Sequence, residues 1–265
     1  MKYSEHLRKV FKDTRLEIED LLLLESFQIR YLPERVPAKE FATLLREYPV
    51  IHRFLINKEP SIKSFLDKVL QENKPVKNPK TIEAYCDEVI WEIGELIVYN
   101  KFPEVYDSKI KFNWKIEEII SPNLLKNKTV IDAGAGSGML SLLLSEYAKT
   151  VYAVEPLSSF RNFLRKKTSA HNIKNIYIIE GFLDSIPLRE QSADILFTSN
   201  ALGWNFEKEQ NEIQRVVKSG GQIIHLMRAF DKNAASPHHN ELMKWKYNFE
   251  QMEADGYKAK YVKTI

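Results

Sequence analysis

In VIDAGAGSGMLSLLL, residues 130–144, an apolar strand ends at Asp132 and a helix opens near Ser137, with Gly134, Gly136 and Gly138 alternating through the turn between them. Glycine accepts positive φ there and has no Cβ to hold a ligand off the backbone. Free N–H groups at a helix start suit anionic or polar ligand groups. The same glycines would also serve a plain tight connection, so the turn by itself is weak evidence. The next apolar run, VYAVE, adds a second feature, because it ends in Glu155 about twenty residues past the glycines. Doubly wound folds place there the carboxylate that accepts hydrogen bonds from both hydroxyls of a ribose. The chemistry implied is capture of a nucleoside between two neighbouring strand tips.

Such a turn needs a parallel sheet to position it, and the second half of the chain has that rhythm. TVIDA, a helix from about Gly138, TVYAVE, a helix near Ser158–Ala170, IYIIE, ADILFTS, a helix near Lys208–Val217 and QIIHLM alternate strand with helix. That pattern predicts helices on both faces of a mostly parallel, doubly wound α/β sheet. Beyond it the pattern predicts one helix, about 240–254, and one strand, YKAKYVKTI.

The first hundred residues read differently. Apolar positions recur at helical spacing through LRKVFKDTRLEIEDLLLLESF and in stretches about 38–56 and 61–72, and no glycine precedes Gly94. A polar connector, QENKPVKNPK, leads to a long helix from near Thr81 to before Pro103. The expected organisation is an all-α cap over residues 1–105 and an α/β core over 106–265.

Composition excludes several classes. Hydrophobic residues at 44% and charged residues at 28% exclude a disordered chain. Cys86, the single cysteine, can form neither an intrachain disulfide nor a thiolate metal cage, which leaves the cytoplasm as the expected compartment and no metal as the expectation. The longest apolar run, Leu21 to Leu24, is far too short to span a membrane, and the first twenty residues do not read as a signal peptide. A net charge of +3 neither requires nor excludes nucleic acid.

The series DAGAGSG, with an acidic residue ahead of alternating glycines, resembles the first motif of the class I S-adenosylmethionine-dependent methyltransferases, and the match covers about residues 106–265. Nicotinamide-dinucleotide enzymes usually show G-x-G-x-x-G without the preceding Asp, which ranks them below. The resemblance implies S-adenosylmethionine as cofactor, with Asp132 near its methionine amino group. Gly134, Ala135, Gly136 and Gly138 would lie against its methionyl and ribose parts, Glu155 on the ribose hydroxyls and Pro156 beside the adenine. EGFLDSIPL resembles the third motif and puts Phe182 and Leu183 by the adenine, but Phe182 stands where an Asp is usual, so that carboxylate is absent or replaced by Asp184. DILFTSNALGW brings Ser199, Asn200 and Ala201 to the place of the transferable methyl, with Trp204 as an apolar wall or as packing. Tyr106 and Trp114 fall where relatives close over the donor, though core packing explains them as well.

For an acceptor that must lose a proton, His238, His239 and Glu241 are the candidate bases, and solvent-exposed residues are the plainer reading of that loop. His225, inside a strand, reads as a hydrogen-bonded core residue. Arg161, Arg165, Lys166 and Lys167 cluster on one predicted helix and would suit phosphate contacts, although such runs are more often solvated faces. The expected activity is methyl transfer to a small molecule. RNA methylation and catalytically idle binding of the donor, as a sensor or scaffold, are the alternatives. The pattern shows no seventh strand, or an altered order, at the C-terminal sheet edge, which gives a homodimer as a further expectation.

Overall fold

The computed structural model describes residues 3–110, 112–203, 205–228, 238–253 and 257–265, which form two compact units, Met1–Ile110 and Lys111–Ile265.

The first unit is helical throughout its described residues, with a core that includes Leu21, Phe41, Leu44, Ile51, Leu55, Leu66 and Val89. The stretch expected as one helix over 38–56 is two, Ala38–Glu47 and Pro49–Lys58, because Pro49 has no N–H to continue the first and instead begins the second. The long helix expected from Thr81 is likewise divided into Pro79–Glu92 and Gly94–Lys101, with Ile93 at φ −114°, ψ 13° between them. Asn78 caps the former by accepting from the Thr81 N–H at 3.2 Å. A buried carboxylate, Glu59, ties the unit together by accepting from Ser26 Oγ and Ser61 Oγ at 2.5 Å each and from Arg30 Nε at 2.8 Å. These donors hold its pKa down to about 2.

The second unit is a seven-stranded sheet in the order β3-β2-β1-β4-β5-β7-β6. Its strands are β1 (Thr129–Ala133), β2 (Thr150–Val154), β3 (Ile176–Ile179), β4 (Ala193–Ser199), β5 (Val217–Arg228), β6 (Asn248–Glu253) and β7 (Tyr257–Thr264). The first five run parallel, and β7 lies antiparallel between β5 and β6. Helices Met139–Ser145, Ser158–Ala170 and Phe206–Val216 make the crossovers β1 to β2, β2 to β3 and β4 to β5.

The C-terminal edge corrects one expectation. Seven strands are present, and the helix expected over 240–254 is only His239–Lys244, followed by β6. The sequence NFEQME hid this strand because β6 is an edge, with only Phe249 and Met252 half-buried and no two-residue alternation to read. With β6 and β7 in place, the argument for a second subunit at that edge falls away.

The pleat of β1 aims the site. Ile131 and Ala133 enter the apolar layer shared with Ile213 and Val216 of one helix, whereas Val130 faces the layer of Leu140 and Leu144 on the Met139–Ser145 helix. Asp132 has the parity of Val130, so it points at that second helix. The order of strands reverses between β1 and β4, and ligands of open α/β sheets bind at the carboxyl ends of strands flanking such a reversal.

Candidate functional site

At the tip of β1 the Gly134 and Ala135 N–H groups both donate to the Val154 carbonyl, at 2.9 and 3.0 Å, which pulls the glycine turn against the end of β2. A Cβ on Gly134 would collide with the Ala201 side chain, and one on Gly138 would collide with Leu164. These two glycines therefore serve packing. Gly136 is different: its φ is 54°, and a Cβ there would meet nothing within 4 Å. The turn thus leaves bare backbone facing open space at its middle glycine, a cradle that a side chain would fill.

Asp132 precedes the turn in β1 and is 1% exposed. Its Oδ2 accepts from Ser141 Oγ at 2.5 Å, and its Oδ1 is buried without a partner. Burial raises its pKa to about 6, against the downward pull of the Ser141 hydrogen bonds. A lone acceptor at a carboxylate this dry leaves a favourable seat for a cationic donor.

Glu155 follows β2 directly and is also buried. Its Oε1 accepts from the Leu157 N–H at 2.9 Å, and its Oε2 from the Gly136 N–H at 2.7 Å. Burial pushes its pKa up to about 7, with these backbone donors and the Arg161 charge pulling it down and Asp132 pushing it up. Each carboxylate oxygen keeps unused lone-pair capacity, as a pair of vicinal hydroxyls requires.

Leu183 is buried, and its Cδ1 would lie 3.5 Å from a Cβ on Gly134. Half-buried Phe182 exchanges backbone hydrogen bonds with Ser185 in a tight turn, and Asp184 is exposed. Ser199 closes β4 half-buried. Asn200, at φ 52°, donates its N–H to the Leu226 carbonyl, and its Oδ1 accepts from the Arg228 N–H at 2.8 Å. The fold therefore brings together Asp132, the glycine turn, Glu155, Leu183 and Ala201, while the Asn200 side-chain oxygen is committed to the end of β5.

The three candidate bases diverge. The His238 ring packs on Gly203, in the loop after β4, and stacks on Phe206 with centroids 6.0 Å apart. His239 turns away, with Nδ1 3.1 Å from the Tyr261 hydroxyl and its ring edge-on to Phe249. Glu241 is exposed and pairs with Lys244 at 2.6 Å. His225 is fully buried with Nδ1 2.8 Å from Thr198 Oγ1, and burial depresses its pKa to about 3, so it stays neutral. Trp204 lies outside the described residues. Trp114 is buried in the core of the second unit, and the Tyr106 ring meets Tyr99 edge-on at 4.8 Å within the first.

Sequence reading missed two contributors. Ser141 looked like an ordinary helix residue. Arg161 looked like part of a solvated basic run, yet it is buried and faces inward. The available signal was spacing, since Phe160, Arg161, Leu164 and Thr168 share the buried stripe of the Ser158–Ala170 helix. Lys167 also turns back, donating to the Ser137 carbonyl at 3.2 Å.

Residues 131–225 match the family model described as a methyltransferase domain. Over 142 residues the chain is 27% identical to a tRNA U34 carboxymethyltransferase of Ruthia magnifica subsp. Calyptogena magnifica, covering 50% of this chain and 44% of that protein. Over 97 residues it is 29% identical to a malonyl-[acyl-carrier protein] O-methyltransferase of Serratia marcescens, covering 36% of each. The chain thus spans less than half the length of these two relatives. A crystal structure of a SAM-dependent methyltransferase from Aquifex aeolicus superimposes with a TM-score of 0.46 at 19% identity, covering 71% of this chain and 98% of that one. The second unit thus holds, over residues 131–225, a stretch that matches a methyltransferase domain and folds as a Rossmann-like sheet, and S-adenosylmethionine is the cofactor expected of such a domain. Among the described residues no helix is long and apolar enough to cross a membrane, and no group of three or more His, Cys, Asp or Glu could hold a metal ion.

Proposed function

We propose that the protein transfers the methyl group of S-adenosylmethionine to a small-molecule acceptor. One observation carries the reading: bare backbone at Gly136 is bonded to the buried Glu155 carboxylate, whose oxygens are both held by backbone N–H groups, and the neighbouring strand tip holds a second buried carboxylate, Asp132, with an unpartnered oxygen. S-adenosylmethionine supplies a methyl group already activated on a sulfonium, so the protein's task is to hold, orient and exclude water. Asp132 Oδ1 receives the ammonium of the methionine part. Gly136 and the backbone of Ala135 let that part approach main chain, while Gly134 and Gly138 pack the turn into place around it. Glu155 accepts the ribose hydroxyls, and Pro156, Phe182 and Leu183 flank the base with apolar surface, which takes over from the missing carboxylate. Ser199 and Asn200 line the floor beside the methyl group. His238, which packs on the loop after β4, takes the proton of an acceptor that must lose one.

RNA is the second reading, favoured by the tRNA-modifying relative. Weighing against it, Arg161 and Lys167 of the basic cluster are spent on main-chain carbonyls of the domain itself. Incubating the protein with methyl-labelled donor and fractionated cell extract tests both. Label in the small-molecule fraction, lost in Glu155→Ala, supports the proposal, and label in RNA replaces it with the second reading. Donor binding without transfer to any fraction would leave a sensor or scaffold.

A further inference from the structure

Arg161 is 8% exposed and spends its guanidinium on three acceptors. Nη1 donates to the Glu155 carbonyl at 3.0 Å and to the Pro156 carbonyl at 2.5 Å. Nη2 donates to Glu180 Oε2 at 2.6 Å. Glu155 and Pro156 form the turn beyond β2, and Glu180 is the first residue beyond β3, so one planar fork joins two neighbouring strand tips. Two main-chain carbonyls fixed in succession set the backbone at Glu155, and with it the direction in which that side chain leaves the chain. The carboxylate itself is fixed by the Gly136 and Leu157 N–H groups.

We infer that Arg161 is a positioning residue for the adenosine end of the donor, aiming the Glu155 carboxylate at the ribose by clamping the Glu155–Pro156 turn to the tip of β3. The inference rests on the donor-binding reading above. The charge of Arg161 also favours ionised Glu155 against the effect of burial. A guanidinium facing inward beside a buried carboxylate differs in kind from Arg165, which is exposed and bonds its helix neighbour Asn162.

Calorimetric titration of the full chain with S-adenosylhomocysteine and with its 2′-deoxy analogue separates aiming from general support. The native protein should prefer the hydroxylated ligand by about tenfold, the worth of one charge-assisted hydrogen bond. Arg161→Met should weaken S-adenosylhomocysteine by about tenfold and shrink that preference to about twofold, because the deoxy analogue has less to lose. Arg161→Lys, which keeps charge without the fork, should fall between and carries the same comparison should the Met variant not fold. Glu180→Gln keeps an oxygen acceptor for Nη2 as well as both carbonyl contacts, so the clamp stays closed and the preference should be kept. Equal weakening of both ligands, unchanged affinity, or loss of the preference in Glu180→Gln each overturns the assignment. Failure of the native protein to bind either ligand overturns the donor-binding reading itself.

Discussion

The Gly136 N–H donates to Glu155 Oε2 at 2.7 Å, so the residue that offers open backbone is tied to the carboxylate of the neighbouring strand tip. The glycine turn and the acidic strand end, nineteen positions apart in sequence, are thereby one unit in space. Each of the expectations below tests a part of it.

Gly134 and Gly136 should respond differently to alanine. Gly134→Ala meets the Ala201 side chain at φ 77° and should cost about 2 to 4 kcal/mol of stability, read from denaturant unfolding. Gly136→Ala meets no neighbour and should cost only about 1 kcal/mol for its φ of 54°, while weakening S-adenosylhomocysteine by about tenfold or more. Equal stability loss at both positions would remove the distinction between packing and cradle.

Glu155 and Asp132 should each stabilise the ligand-free second unit less as the solution becomes more alkaline, against the opposite contribution of His225, whose pKa burial lowers to about 3. Burial raises Glu155 from 4.5 to about 7 and Asp132 from 3.8 to about 6, so each group's contribution is full below its unfolded value and is lost as pH rises through the folded one. From pH 4 to 7 the loss at Glu155 is on the order of 3 kcal/mol. Affinity for the donor should run the other way, rising through the same window as the carboxylates ionise, with proton release on binding. Titration in buffers of different ionisation enthalpy reads the released proton. The stability of the native protein relative to Glu155→Gln should fall from pH 4 to 7, and a difference that does not change with pH would disprove the assignment.

Asp132→Asn removes the charge that would face an ammonium while keeping the shape of the side chain. Affinity for S-adenosylhomocysteine should drop by about tenfold to a hundredfold, whereas 5′-methylthioadenosine, which has no amino acid part, should bind nearly as before. Parallel losses for the two ligands would place Asp132 in support of the turn instead.

His238→Ala should lower turnover by about a hundredfold with donor affinity unchanged, the size expected for losing a general base. His239→Ala and Glu241→Ala, whose side chains engage Tyr261 and Lys244, should leave turnover within about threefold. Steady-state kinetics with the acceptor named by the labelling experiment reads all three variants.

Much of this arrangement could be read before any coordinates. β1, β2 and β4 announce themselves because apolar residues buried on both faces of a parallel sheet make unbroken runs, and glycine and acid spacing then places the turn. β6 escaped because an edge strand needs few apolar positions, and the break at Ile93 escaped because no proline marks it. Arg161 escaped for another reason: a charge among charges reads as solvated, and only the backbone carbonyls that meet it in space reveal otherwise. Of the three bases at the C-terminal loop, composition could not say that neighbouring histidines face opposite ways, since helix geometry alone separates them.

The placement of β7 bears on how the domain is made. Last of the strands in sequence, it occupies an inner position with antiparallel ladders to β5 on one side and β6 on the other. β6 is therefore synthesised before the neighbour it needs, and the sheet cannot grow outward strand by strand as the chain emerges. Until β7 arrives, two bare edges are open; β7 then pairs locally with β6 and reaches back over the β6 stretch to β5. That edge of the sheet is therefore completed in one event, by β6 and β7 together, independently of what the finished domain does with its ligand.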